Sequence, residues 1–195
     1  RLSFELLKSS HVIGSSQVLF NYENNGSSKK ILFTGDLGRQ NSFFASPDIP
    51  EGVDAIVFDS TNCDSFSENG YDPGEQIKNI INDTYEKNGQ VYFACFTLNR
   101  MQLVTNHIKN LLSKGEIPGC IRYVIDSPTG SKTTRIYEEN MDYLDKLDSN
   151  EEHPLIINEK DRIGRNAKKS RRYSKKAEPM VVISAPGMLS SEKNG

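Results

Sequence analysis

Residues 91–125 read VYFACFTLNRMQLVTNHIKNLLSKGEIPGCIRYVI, and this stretch decides the fold class. Residues 91–96 and 121–125 are short apolar runs of strand length. Between them, residues 100–112 carry apolar side chains at helical spacing on one face. A strand, a helix and a second strand in this order predict a parallel unit with a right-handed crossover.

The same alternation continues on both sides of this unit. Helices are predicted over 73–86 and 133–147, and strands over 53–58 and 180–184. From residue 53 onward, strands and helices therefore alternate, which predicts a Rossmann-like, mostly parallel sheet covered by helices. Such sheets bind ligands at the carboxyl ends of their strands, so we expect functional residues there.

The front of the chain follows a different pattern. Strands are predicted over 2–7, 17–21 and 30–34, and the Asn-Gly of NNGSS between the last two is typical of a hairpin turn. This part predicts antiparallel sheet. The predicted fold class is therefore α/β, with an antiparallel part followed by a mostly parallel part.

Composition and charge restrict the class of protein. The 195 residues carry a net charge of −2 and are 26% charged, as in an ordinary globular protein. The longest apolar runs are far shorter than the ~20 residues that cross a bilayer. Three widely spaced cysteines predict neither a disulfide framework nor a metal knuckle, which favours a reducing, cytoplasmic compartment. Residues 160–176 hold nine Lys or Arg and one Asp, which suggests a polyanionic partner, although a solvated face explains a lone charge run as well.

Two polar clusters follow predicted strands. Asp59, Ser60 and Thr61 come after one strand, and Asp126 and Ser127 come after another. Each cluster places a carboxylate and hydroxyls where a phosphate or a metal-bound group could be met. Capping of the next helix explains such residues equally well. Because the chain has no Walker motif and no GxGxxG, a conventional nucleotide site is not supported.

His11 in SSHVIGSSQ and Asp36 in ILFTGDLGR each stand where a predicted strand meets a glycine turn. One imidazole and one carboxylate from neighbouring strand ends suit zinc or manganese. Catalytic zinc usually takes three protein ligands, so these two residues cannot hold it alone. An isolated His and Asp pair is also more often structural than functional.

Six sequence blocks occur in an order that resembles one known family. They are HVIGSSQ (11–17), LFTGDLGR (32–39), VFDSTN (57–62), FACFTLNRMQ (93–102), YVIDSPTG (123–130) and VVISAPGML (181–189). Together they resemble the β-CASP branch of the metallo-β-lactamase fold, which comprises RNA- and DNA-processing nucleases. The DSP and GML blocks are most similar to those of the prokaryotic relatives of the eukaryotic pre-mRNA 3′-end endonuclease. The resemblance implies the middle portion of a metallo-β-lactamase (αββα) domain over 1–69, and a β-CASP domain, incomplete at its C-terminal end, over 70–195.

The resemblance also implies roles for individual residues. His11 corresponds to the family's late metal-binding histidine, and Asp36 to the carboxylate that bridges two metal ions. Asp59 matches the motif A acid, which pairs with a later histidine that assists protonation of the leaving group. The expected catalytic residues are therefore Asp36 and Asp59. The expected metal ligands are His11 and Asp36, for two zinc ions with manganese as the alternative.

Substrate contacts are expected from hydroxyl groups and from the basic stretch, residues 160–176. The residues concerned are Ser60, Thr61, Ser127, Lys168, Lys169, Arg171 and Arg172. In the family a helix near the cleft between the two domains occupies the position of the basic stretch, and such a cluster could contact about four to six phosphates. The expected partner is RNA, with single-stranded DNA as the alternative, and no membrane.

Several departures from the family pattern are present. The HxHxDH block does not occur, two histidines expected after VVISAPGML are absent, Ser10 stands where a Gly usually precedes the histidine, and Pro186 stands where Ser or Gly is usual. The resemblance thus implies a fragment of a hydrolase, a metal-dependent ribonuclease that cleaves RNA phosphodiester bonds by a two-metal mechanism. The isolated fragment is expected to be inactive. The alternatives are a noncatalytic β-CASP scaffold subunit of an RNA-processing complex and a Rossmann-like phosphate-binding module.

Overall fold

A computed structural model describes residues 1–38, 43–61, 72–144, 161–162, 170 and 178–189. Within these ranges the chain forms a mixed four-stranded sheet and a parallel three-stranded sheet. It divides into two compact units, the first comprising Arg1–Glu68 and Asp142–Ser149, the second Asn69–Met141 and Asn150–Gly195. The predicted α/β fold class is confirmed, whereas the assignment of the two domains at 1–69 and 70–195 stays a prediction.

The first sheet is built from a meander and one added parallel strand. Its strands, in spatial order, are β1 (Leu2–Lys8), β2 (Ser16–Asn24), β3 (Ser27–Phe33) and β4 (Ala55–Val57). The first three pair antiparallel. Asn25 and Gly26 join β2 to β3 with φ values of 47° and 78°, which are the positive angles that a tight hairpin of the predicted kind requires.

The strand β4 belongs to the first sheet, so the prediction that residue 53 begins the parallel sheet is wrong. The physical reason lies in Asp54, immediately before β4. Its carboxylate accepts hydrogen bonds from Lys29 Nζ (2.6 Å) and from the Lys30 amide (2.8 Å). These bonds attach the start of β4 to β3, with which it pairs in parallel.

The two faces of the first sheet differ in burial. Leu19 and Leu32, which are register partners, are 5% and 4% exposed on one face. On the other face the side chains of Leu2, Phe4 and Leu6 are 61–66% exposed. Successive side chains of a strand alternate between faces, so one face of the sheet forms a core and the other presents an apolar surface to solvent.

The second unit is a parallel sheet with helices. The strand order is β5 (Gln90–Ala94), β7 (Met180–Ser184) and β6 (Arg122–Asp126), and the helices are α1 (Pro73–Glu86), α2 (Arg100–Ser113), α3 (Pro128–Glu139) and the short α4 (Pro186–Leu189). The central strand β7 is buried along its whole length, as expected for a parallel strand covered on both faces. Ile81 of α1 and Ile108 of α2 pack in one cluster with Ile183 of β7.

The third helix starts earlier than predicted. It spans Pro128–Glu139, not 133–147. The Ser127 hydroxyl accepts a hydrogen bond from the Gly130 amide at 3.0 Å and caps the helix. Pro128 suits the first turn, where its missing N–H is not needed. The cap and the proline together start α3 directly after β6, before the apolar pattern that the prediction used.

No helix in the described ranges is long and apolar enough to span a bilayer. Cys95 is a buried free thiol and Cys120 an exposed one. Cys63 lies outside the described residues.

Candidate active site

A tight loop after β1 carries His11. The Ser15 hydroxyl donates to the Val12 carbonyl (2.7 Å) and accepts from the Val12 amide (3.1 Å). It also accepts a hydrogen bond from Ser9 Oγ at 2.8 Å. Gly14 takes a φ of 79°, a conformation that glycine adopts without strain. The loop is thus closed by its own hydrogen bonds, and His11 lies near its start.

A second loop, after β3, carries Asp36 and is clasped to the first. The Gly38 amide donates to the Ser9 carbonyl at 2.9 Å. A Cβ added at Gly38 would lie 1.7 Å from the Ser10 carbonyl oxygen and 2.5 Å from the His11 nitrogen. No side chain fits in that space, so the close approach of the two loops depends on glycine at this position.

The clasp brings the two predicted metal ligands together. His11 Nε2 lies 3.8 Å from Asp36 Oδ2, and the side chains are 45% and 75% exposed. This distance exceeds a hydrogen bond, but it is near the separation of roughly 3.3 Å between two donors on one tetrahedral zinc ion. Imidazole nitrogen and carboxylate oxygen are both zinc donors, so the pair fits two corners of such a site. The described residues contain no group of three or more His, Cys, Asp or Glu that could hold a metal.

Asp59 follows β4 and is held as a carboxylate. Thr61 donates to its Oδ1 from the hydroxyl (2.6 Å) and from the amide (2.9 Å). These hydrogen bonds hold the pKa of Asp59 below its usual value, and a smaller electrostatic interaction with His11 acts in the same direction. The Asp59 amide donates to the hydroxyl of buried Thr34 at 3.3 Å. Asp59 is therefore held in its negatively charged form.

The predicted substrate-binding residues are distributed over both units. Ser60 and Thr61 are exposed beside Asp59. Ser127 belongs to the second unit, is 2% exposed and caps α3. Lys168, Lys169, Arg171 and Arg172 lie outside the described residues. A role of any of these residues in substrate binding stays a prediction.

The basic stretch contains residues with structural contacts. Arg162 is 8% exposed and donates from Nη1 to the Ser131 carbonyl (2.9 Å) and from Nη2 to the Glu138 carboxylate (2.6 Å). Ser170 donates through its hydroxyl to Asp126 Oδ2. Arg162 and Ser170 therefore do not belong to a solvated face.

Sequence reasoning missed two residues that organise the candidate site. Gly38 permits the contact between the loops, and Thr34 binds the amide of Asp59. Both belong to LFTGDLGR, the block that drew attention to Asp36. Gly38, two residues after Asp36, is visible in the sequence. Its role cannot be read there, because it depends on the Ser10 carbonyl group, 28 positions earlier.

The chain has an α/β fold, and its residues 101–192 match the Beta-Casp domain family. Over 196 aligned residues the chain is 24% identical to a protein of Methanocaldococcus jannaschii called "RNase J-like protein", covering 96% of this chain and 43% of that relative. The chain thus spans less than half of the relative's length. The resemblance to the β-CASP branch of the metallo-β-lactamase fold is confirmed.

Proposed function

We propose that this chain contributes to the active site of a metal-dependent ribonuclease that hydrolyses RNA phosphodiester bonds. One observation carries the proposal. His11 and Asp36 come from separate loops, yet their donor atoms lie 3.8 Å apart on an open surface. An exposed pair at this distance contributes little to stability, so stabilisation of the fold does not account for the placement of these two side chains.

In this proposal His11 and Asp36 would be ligands of the metal centre. Two zinc ions, or manganese in their place, supply Lewis-acid activation of water and of the phosphoryl group when bound. Asp36 is 75% exposed, so its carboxylate is accessible to a cation. Asp59 keeps a negative charge through Thr61 and acts on a histidine that protonates the leaving group.

The choice of RNA as substrate rests on the relative, whose name describes it as similar to a ribonuclease. The basic stretch favours a polyanion in general, and single-stranded DNA is the alternative. The free thiols of Cys95 and Cys120 are in keeping with the predicted cytoplasmic compartment.

Replacement of Asp36 by Ala in the polypeptide that carries this sequence tests the proposal. We expect cleavage of a labelled single-stranded RNA, assayed with zinc or manganese, to fall by more than about a hundredfold, because loss of a ligand exceeds the effect of loss of its supporting contacts. Zinc affinity of the same polypeptide, measured by calorimetry, falls in Asp36→Ala and in His11→Ala.

The matched control is Glu51→Ala, which removes an exposed carboxylate from the same unit. It should leave both cleavage and zinc affinity unchanged. Unchanged cleavage in Asp36→Ala would reject the ribonuclease proposal and favour the noncatalytic scaffold. Tight nucleotide binding without metal would instead favour the phosphate-binding module.

A further inference from the structure

The loop between β5 and α2 presents an aromatic side chain to solvent. Phe96 is 74% exposed, more than any other large apolar side chain described in the second unit, and Leu98 on the same loop is 46% exposed. The loop follows the carboxyl end of a parallel strand, which is the edge where sheets of this kind bind ligands. An exposed ring at this edge is therefore a candidate contact for a ligand.

Hydrogen bonds fix the loop that bears this ring. The Cys95 amide donates to the Ser184 carbonyl at 2.9 Å, and the Met101 amide donates to the Phe96 carbonyl at 3.1 Å. Buried Gln102 donates from Nε2 to the Thr97 carbonyl at 3.2 Å. Because the backbone on both sides of the ring is held, a flat ligand can stack on the ring without first ordering the loop.

An arginine follows the ring four residues later in the sequence. Arg100 is exposed at the start of α2. Among the described residues, no carboxylate forms an ion pair with it. A cation at the amino end of a helix meets an unfavourable dipole. Neither an ion pair within the described residues nor helix stability accounts for this charge, whereas an anionic ligand would.

Ser170, one residue of the basic stretch, lies at the same sheet edge. Ser170 donates to Asp126, and Asp126 lies in register with Ser184, which lies in register with Ala94 of β5. Two strand spacings, about 10 Å, therefore separate Asp126 from the end of β5. In the sequence Ser170 stands between KK and RR.

We propose that the β5–α2 loop is a subsite for single-stranded RNA in which a base stacks on Phe96 and Arg100 binds a neighbouring phosphate. Proteins that bind single strands combine an aromatic platform with a positive surface in this way. The choice of RNA rests on the proposed ribonuclease function. The stacking subsite itself needs no metal and no cleavage.

Fluorescence anisotropy of a labelled 12-nucleotide RNA, titrated with the full chain in the presence of EDTA, tests the subsite. Phe96→Ala and Phe96→Leu should each weaken binding by roughly 5- to 150-fold, while Phe96→Trp retains it, because stacking requires a ring. Arg100→Gln should reduce the slope of log affinity against log salt by about 0.7, the value for one contact with a single strand.

Ile136→Ala is the control, since Ile136 is a half-exposed apolar residue of the same unit, and it should bind like wild type. Thermal unfolding checks that the Phe96 variants fold. Wild-type affinity in Phe96→Leu, an equal loss in Phe96→Trp, or no RNA binding by the wild-type chain would each overturn the proposal. Anisotropy in EDTA reports only the stacking subsite, whereas cleavage assayed with metal reports the metal site, so failure of one and failure of the other give different results.

Discussion

Asp59-Ser60-Thr61 and Asp126-Ser127-Pro128 are similar in sequence, and each follows a strand, yet the structure uses them differently. In the first cluster Thr61 binds the carboxylate of Asp59, and Ser60 stays exposed. In the second, Ser127 is buried and caps α3. The residue after the serine differs: Pro128 favours the first turn of a helix, whereas the Thr61 hydroxyl binds Asp59.

The two units show the same contrast on a larger scale. In the second unit, polar side chains near the sheet serve its packing, as where buried Gln102 binds the Thr134 hydroxyl at 2.9 Å. In the first unit, backbone contacts hold the loops together and leave the side chain of Asp36 exposed. In the first unit, backbone contacts hold the loops, so the side chain of Asp36 is not needed for structure and can take part in catalysis.

The largest expected effect comes from breaking the backbone clasp of the first unit. Gly38→Ala would force a Cβ to within 1.7 Å of the Ser10 carbonyl oxygen, so the two loops must separate. We expect a loss of about 2–3 kcal/mol in the free energy of unfolding, as for other overpacked sites. Urea unfolding measures this loss. Calorimetry on the polypeptide that carries this sequence should show weaker zinc binding, because His11 and Asp36 move apart.

Gly119→Ala is the matched control, since a Cβ at Gly119 meets nothing within 4 Å. Its free energy of unfolding should change by no more than about 0.5 kcal/mol. Equal stabilities of Gly38→Ala and Gly119→Ala would show that the clasp does not hold the two loops.

Much of the fold follows from local patterns. The predicted helix over 73–86 matches Pro73–Glu86, and the predicted strand over 180–184 matches Met180–Ser184. Both elements have clear apolar patterns, which periodicity detects. The start of α3 was missed because a cap and a proline, not an apolar pattern, determine it. The pairing of β4 was missed because it depends on the contacts of Asp54 with β3.

The candidate site was predicted only in part, for a similar reason. Residue types and glycine turns singled out His11 and Asp36, and the structure places them together. Their proximity depends on Gly38, whose role is defined by the Ser10 carbonyl. Periodicity and motif spacing describe residues close in sequence, so they do not report a contact of this kind.

A smaller effect on the free energy of unfolding should distinguish the cluster at Ser127 from the cluster at Ser60. Ser127→Ala removes the cap of α3 and leaves the Gly130 amide without its acceptor. Loss of a cap costs about 1–2 kcal/mol of unfolding free energy. Ser60→Ala, at the matching position of the exposed cluster, should change it by less than about 0.5 kcal/mol. Urea midpoints of the two variants measure the difference, and similar midpoints would contradict the structural assignment of Ser127.

The smallest expected effect has the opposite sign and concerns the residue before His11. Ser10 adopts a φ of 57°, a left-handed conformation that costs a non-glycine residue roughly 1–2 kcal/mol. Its hydroxyl is buried and has no hydrogen-bond partner among the described residues. Ser10→Gly relieves both penalties, at the cost of a more flexible unfolded chain. We therefore expect a gain of about 1 kcal/mol in unfolding free energy.

Ser10→Ala separates the two causes, because it removes the hydroxyl but keeps the left-handed backbone of a residue with a Cβ. Urea unfolding should place Ser10→Gly above Ser10→Ala by about 1 kcal/mol, which is the contribution of the backbone alone. An alanine variant as stable as the glycine variant would show that the backbone at this position is not strained. A glycine variant more stable than the alanine variant would instead show that the glycine usually found before this histidine in the family relieves backbone strain. This explanation does not depend on whether the chain binds metal.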